Sequence, residues 1–228
     1  MNNKIIAIIF ARFDSSRLPG KALIEVNNEP ILGYVINRAK KIKNIEHVVL
    51  ATTDREIDNP LVEFAQKRGV LVFRGDLQNV AKRALDCAND FKADYFIRLN
   101  GDSPFLDFDL ISKSMENIAN FDFITNLKPR TFPYGIAVEI IKTKFFEKHF
   151  ALFGPKEKEH IFSYFYNDKV EMRAKYITAE SDNQDVILTI DELKDLEKFE
   201  MINSQIGIDI NNMGYKELIE NYLKFNKS

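Results

Sequence analysis

Short apolar runs alternate with longer stretches of helical period along the first half of the chain. Lys4–Ala11 is a continuous β-branched run, the pattern of a strand buried on both faces. Pro30–Ile42 then reads as a helix: Pro30 suits a first helical position, and Ile31, Tyr34, Val35 and Arg38 recur at helical spacing. The same reading gives strands at His47–Thr52, Val70–Phe73 and Tyr95–Leu99. It gives helices at Asp58–Arg68, stopped by Gly69, at Asn79–Phe91 and at Phe108–Ala119.

This βαβα order predicts an α/β fold, a mostly parallel sheet flanked by helices on both faces. Right-handed crossovers put the loops that leave the strands on one edge, where ligands of such sheets bind. Three loops should converge there: Arg12–Lys21, Arg74–Asn79 and Asn100–Leu106. Past Phe121 the pattern changes. Strands are expected at Asp122–Asn126, Ala137–Ile141, Glu171–Ile177 and Asp185–Ile190, and helices at about Asp191–Ser204 and Gly214–Phe225. With no linker, repeat or low-complexity tract, residues 1–228 read as one domain, in which about 134–166 forms a lid or a subunit contact.

Charge and cysteine content narrow the chemistry. The 32 Lys+Arg and 34 Asp+Glu give a net charge of −2, which argues against nucleic acid as the partner. Any positive potential must be local. Cys87 is the single cysteine, so an intramolecular disulfide and a cysteine metal cluster are both excluded. His47, His149 and His160 lack the spacing of a histidine zinc site. Neither a signal-peptide pattern nor an apolar run of membrane-spanning length is present, so a cytoplasmic protein without a membrane partner is expected.

The local positive charge lies in the first loop, "ARFDSSRLPGKAL", with Arg12, Arg17 and Lys21 beside Ser15 and Ser16. Gly20 lets the backbone turn, and exposed N–H groups there add donors for an anion. The pattern is not that of a P-loop, because the first glycine and the hydroxyl residue after the lysine are missing. On an arbitrary surface such a turn is simply solvated; directly after the first strand of an α/β sheet it reads as a phosphate site. Asp102, just past the fourth strand, points at the same crevice, and a carboxylate beside a triphosphate calls for a cation between them. Asp191, at the end of a late strand, reads both as a helix N-cap and as a second ligand for that cation.

Taken in order, "ARFDSSRLPGKAL", "VVLATTD", "VFRGDLQNVAKRAL", "IRLNGDSPFLD", "RTFPYGIAVEI", "KEHIFSYFY" and "LTIDELKDLE" resemble the cytidylyltransferases that activate acidic sugars, the CMP-Kdo and CMP-nonulosonate synthetases. The SpsF-like branch, associated with spore-coat polysaccharide, is the nearest in pattern. The resemblance spans nearly the whole chain. It implies a nucleotide-diphospho-sugar transferase fold (Rossmann-like, GT-A-type) and transfer from CTP, with Mg²⁺ as cofactor, to an acidic sugar for surface polysaccharide synthesis. It also implies a homodimer. Arg12, Lys21 and Asp102 match the family's catalytic positions, and Asp102 and Asp191 its metal ligands. The nucleotide-binding set becomes Ala11, Arg12, Ser15, Ser16, Arg17, Lys21, Gly75, Asp76, Asn79, Asn100 and Gly101.

One segment departs from the family. Where the branch reads F-P-D-G-L-D-V-E, this chain has Phe132-Pro133-Tyr134-Gly135-Ile136-Ala137-Val138-Glu139, with two acidic positions replaced. The acceptor side is therefore assigned to Arg130, Tyr134, Glu139 and His160, with the acceptor's identity open. Two other readings stand beside this one: a nucleotidyltransferase using another NTP or a phosphorylated acceptor, and a glycosyltransferase-like protein that binds a nucleotide sugar.

Overall fold

A computed structural model describes residues 3–15, 18–206 and 210–225. The elements run β1 (Ile5–Phe10), a small hairpin of β2 (Glu25–Val26) and β3 (Glu29–Pro30), α1 (Ile31–Ala39), β4 (His47–Thr53) and α2 (Asn59–Lys67). Then come β5 (Leu71–Gly75), α3 (Val80–Asp90), β6 (Tyr95–Asn100), α4 (Phe108–Ser114), β7 (Phe123–Thr125) and β8 (Glu139–Lys142). The second half closes with α5 (Thr143–Phe150), α6 (Pro155–Glu159), β9 (Ala174–Tyr176), α7 (Leu193–Ile206) and α8 (Tyr215–Phe225).

Seven strands form one sheet in the order β5-β4-β1-β6-β8-β7-β9. The half built from β5, β4, β1 and β6 is wholly parallel, whereas β8 runs antiparallel to both its neighbours, β6 and β7. The first half thus follows the alternation seen in the sequence. β1 is buried on both faces because Ala7 and Ile9 join the core under α1, while Ile6 and Ile8 join the core under α3 and α5. A third apolar cluster ties α7 and α8 to α1 through Tyr34, Phe105, Phe199 and Leu218.

Several expectations for the second half need correction. Asp185–Ile190 forms no ladder. It keeps the alternation of a strand, with Val186, Leu188 and Ile190 buried and Ile187 exposed. Its backbone instead makes isolated hydrogen bonds, with Tyr134, with the Asp102 carbonyl and with the Asn183 carbonyl. The long helix at Phe108–Ala119 ends at Ser114, and Asn117 takes a left-handed φ of 59° before a short 3-10 turn. Residues 134–166, expected as a lid or a subunit contact, supply the interior strand β8, and Phe146, Phe153, Phe162 and Phe165 are buried in the core on that face.

Candidate active site

The parallel strands deliver their carboxyl ends to one edge, and the loop after β1 folds back over it. Gly20, at φ 71°, turns the loop so that its N–H reaches the Phe13 carbonyl at 2.8 Å. The loop is also pinned from the side. Phe13 N–H donates to Asp58 at 2.7 Å, and Arg55 grips Asp14 through two hydrogen bonds of 2.6 and 2.8 Å. The Arg55 guanidinium, foremost through those hydrogen bonds, holds the Asp14 carboxyl below its usual range. Gly101 lets β6 pass close to β1. A Cβ there would lie 2.8 Å from that of Ala11 and 3.1 Å from the Phe10 carbonyl oxygen.

Three distant parts of the chain meet at Lys21. Its Nζ donates to Asp102 Oδ2 at 2.7 Å, to Asp191 Oδ1 at 3.2 Å and to the Ile190 carbonyl at 3.0 Å. Asp102 comes from the end of β6. Asp191 is delivered by the extended segment after residue 185, where Ile190 N–H bonds the Asp102 carbonyl at 3.1 Å. The turn into α7 is held by Asp195, whose carboxylate accepts the N–H groups of Asp191 and Glu192 at 3.0 and 2.9 Å. Two carboxylates therefore share one cation.

The cleft around this point has a volume of about 680 Å³, ample for a nucleotide. Of the residues expected from sequence, Ala11, Arg12, Ser15, Lys21, Gly101, Asp102, His160 and Asp191 line it. Ser16 and Arg17 lie outside the described residues. Others hold its frame. Asp76 caps the turn after β5 by accepting the N–H groups of Gln78 and Asn79, each at 2.9 Å. Asn79 caps α3 through Lys82 N–H at 2.8 Å. Gly75 ends β5 and Asn100 ends β6, opposite Phe10. The lining from the β5–α3 loop is instead Leu77, Gln78 and Val80.

Three acceptor-side assignments need correction. Glu139 is buried. It takes a hydrogen bond from Tyr166 at 2.8 Å and pairs with Arg98 at 2.7 Å, so Arg98 is the group presented to the cleft. Arg130 stacks on Tyr134, 4.0 Å from the ring centroid, and neither lines the cleft, because Tyr134 is drawn into backbone pairing with Val186 and Leu188. Of the four acceptor-side residues, His160 alone lines the cleft.

Three arginines of the lining, Arg55, Arg83 and Arg98, were not singled out in the sequence. Arg83 and Arg98 carried a legible signal, a charge on an otherwise apolar helix face and a charge inside an apolar strand. Arg55 follows β4 and so falls on the same edge as the other loops.

A metal ion would find two protein ligands. Among the described residues no three His, Cys, Asp or Glu side chains approach closely enough to hold one unaided. Asp102 and Asp191 already meet at one cation, and Mg²⁺ is commonly held by one or two carboxylates with phosphate oxygens completing the shell. The donor set fits such an ion.

A family model described as cytidylyltransferase matches residues 6–218. The chain belongs to the cytidylyltransferase family. It is thereby a nucleotidyltransferase, and its fold is that of the family. The spore coat polysaccharide biosynthesis protein SpsF of Bacillus subtilis is 29% identical over 219 residues, covering 90% of this chain and 88% of that protein. An uncharacterised protein of Methanocaldococcus jannaschii is 30% identical over 224 residues, 95% of this chain and 89% of its own. The solved structure of a cytidylyltransferase from Leptospira borgpetersenii superposes with a TM-score of 0.90 at 31% identity, over 100% of this chain and 96% of that one. A CMP:2-keto-3-deoxy-manno-octonic acid synthetase complexed with CTP shares the fold, with a TM-score of 0.66 at 19% identity. Among the described residues of this cytidylyltransferase no helix is long and apolar enough to cross a membrane.

Proposed function

We propose that this chain transfers a cytidylyl group from CTP to a hydroxyl of an acidic sugar, releasing pyrophosphate, and that Mg²⁺ is held by Asp102 and Asp191. The observation that carries the reading is the convergence of those two carboxylates on Lys21 inside a cleft otherwise rich in arginine. Two negative groups beside a triphosphate are tolerable only with a cation between them. SpsF of Bacillus subtilis, named for polysaccharide biosynthesis, supports a role in building a surface glycan.

Each residue has a part. Arg12 and Lys21 offset the charge that builds on the departing pyrophosphate. The first loop, pinned by Asp58 and by the Asp14–Arg55 pair, keeps them in place without reorganisation during the reaction. The acceptor hydroxyl attacks the α-phosphorus in line with the leaving group, and its proton passes to solvent or to His160, which lines the same cleft. Arg98, held by buried Glu139, offers a guanidinium to the acceptor's carboxylate. When bound, Mg²⁺ supplies Lewis-acid polarisation of the phosphoryl oxygens.

The decisive experiment is pyrophosphate release from CTP, with UTP and GTP as controls, across a panel of acidic and phosphorylated sugars. CTP with a carboxylate-bearing sugar should give the fastest release. Asp102→Asn and Asp191→Asn should each lower turnover by at least about 10²-fold with unchanged circular dichroism. Near-normal turnover in either variant would remove that residue from the metal site. Faster release with a phosphorylated acceptor would reject the acidic-sugar assignment.

A further inference from the structure

On the strand wall of the cleft one arginine holds its carboxylate differently from the others. A planar guanidinium commonly takes both oxygens of a carboxylate. Arg55 does so on Asp14 at 2.6 and 2.8 Å, Arg68 on Glu29 at 2.8 and 2.9 Å, and Arg173 on Asp122 at 2.7 and 3.1 Å. Arg98 takes one oxygen only. It lies one position beyond the Ile97–Ile140 pair of β6 and β8, opposite Glu139. Its Nη1 donates to Glu139 Oε2 at 2.7 Å, and none of its other side-chain N–H groups donates to a described residue.

The cause lies at the other oxygen. Glu139 Oε1 accepts the Tyr166 hydroxyl at 2.8 Å, and that hydroxyl lies 3.0 Å from Thr125 Oγ1. Tyrosine has one hydroxyl proton and gives it to Glu139, so Thr125 is the donor to Tyr166. Thr125 Oγ1 in turn accepts the Leu127 N–H at 3.0 Å. The donors therefore run one way, from Leu127 through Thr125 and Tyr166 to Glu139. Thr125 and Glu139 face each other in the β7–β8 register, 0% and 2% exposed. Burial, with Glu139 beside it, pushes the Tyr166 pKa up, so the hydroxyl keeps its proton. A buried carboxylate needs a donor at each oxygen. Tyr166 supplies one, Arg98 need supply only the other, and the remaining edge of its guanidinium is left to the cleft that Arg98 lines.

We propose that Tyr166 is a positioning residue for the acceptor. By occupying one oxygen of Glu139 it keeps Arg98 singly bonded, so that the other edge of the guanidinium stays available to a carboxylate of the bound sugar. The proposal rests on the acceptor reading given above. Without the hydroxyl, Glu139 Oε1 draws a second N–H from Arg98, and the free edge turns away from the cleft.

The test measures pyrophosphate release from CTP with the carboxylate-bearing sugar that proves fastest in the panel above, and with the methyl ester of the same sugar. In the wild type the free acid should be preferred in kcat/KM by at least about tenfold, the scale of one hydrogen bond to a charged group. Tyr166→Phe keeps the ring against Phe123, at 5.6 Å between centroids, and removes only the hydroxyl. It should shrink the acid preference to less than about threefold by raising the KM of the acid, while the KM of CTP changes less than about twofold. Adding Glu139→Gln to that variant leaves a single acceptor oxygen for Arg98, and the acid preference should return. A tyrosine that merely supports the fold predicts otherwise: a lower Tm with the preference intact, and further loss in the double variant. Folding of each variant is checked by circular dichroism. Acid preference retained in Tyr166→Phe, no recovery in a folded double variant, or a loss shared equally by acid, ester and CTP would each overturn the proposal. Arg98→Met separates it from the reading beneath it. If Arg98→Met keeps the acid preference, or if no carboxylate-bearing sugar drives release, the acceptor reading and this proposal both fall. If Arg98→Met loses the preference and Tyr166→Phe keeps it, this proposal alone falls.

Discussion

At Lys21 one ammonium group neutralises two carboxylates that a divalent ion would also seek. Lys21→Met should therefore act in opposite directions on two measurements. Turnover should fall by about 10²-fold, the scale of losing one charge-stabilising group. The free protein's affinity for Mn²⁺, followed by its electron paramagnetic resonance signal, should rise by about tenfold, equivalent to about 1.4 kcal/mol. Unchanged Mn²⁺ affinity would mean that the lysine and the metal do not compete for the same oxygens. At this scale the sequence was informative where a charge sat in a short loop directly after a strand, as with Arg12, Lys21 and Asp102. It was misleading at Glu139. A charge within a strand pattern reads as facing solvent or ligand, whereas this one is turned inward against Arg98 and Tyr166.

Among the elements, the parallel strands and their helices were legible because two-sided burial writes continuous apolar runs. The later strands are shorter and depend on partners far away in sequence. β9 is three residues long and parallel to β7, and its start is secured by Asp122, which binds Arg173 through its side chain at 2.7 and 3.1 Å and its backbone N–H at 3.1 Å. Those hydrogen bonds hold the Asp122 carboxyl below its ordinary value of 3.8, with burial opposing. A carboxyl whose pKa is lower folded than unfolded stabilises the protein above the unfolded value and loses that contribution as pH falls through the folded one. Thermal melts between about pH 5 and pH 3 should thus show a steeper loss of Tm in the wild type than in Asp122→Asn. Parallel curves would show that the pair adds nothing to stability. The extended segment 185–190 illustrates the converse difficulty. Its alternation was visible, but no sequence pattern announces that its backbone will pair with a loop instead of a strand.

For the molecule as a whole, the joint that matters lies between α1 and the C-terminal helices. Arg38 is fully buried and donates to three carbonyls, those of Leu106 at 2.6 Å, Ile210 at 2.6 Å and Met213 at 2.7 Å. Arg38→Met would strip a partner from each and should cost at least about 3 kcal/mol, lowering Tm by roughly 6–12 °C. A calorimetric scan that left Tm within about 2 °C of the wild type would show that the carbonyls find other partners. The C-terminal segment, once anchored, carries Asp191 across to a site whose other members lie 89 and 170 residues earlier, at Asp102 and Lys21. This separation has a consequence during synthesis on the ribosome. A nascent chain that has released only the parallel strands already offers Lys21 and Asp102, but its second carboxylate is still being translated. Ribosome-stalled chains lacking residues past 185 should accordingly release no pyrophosphate from CTP, so that the growing polypeptide stays silent toward the nucleotide pool until its last fifth has emerged.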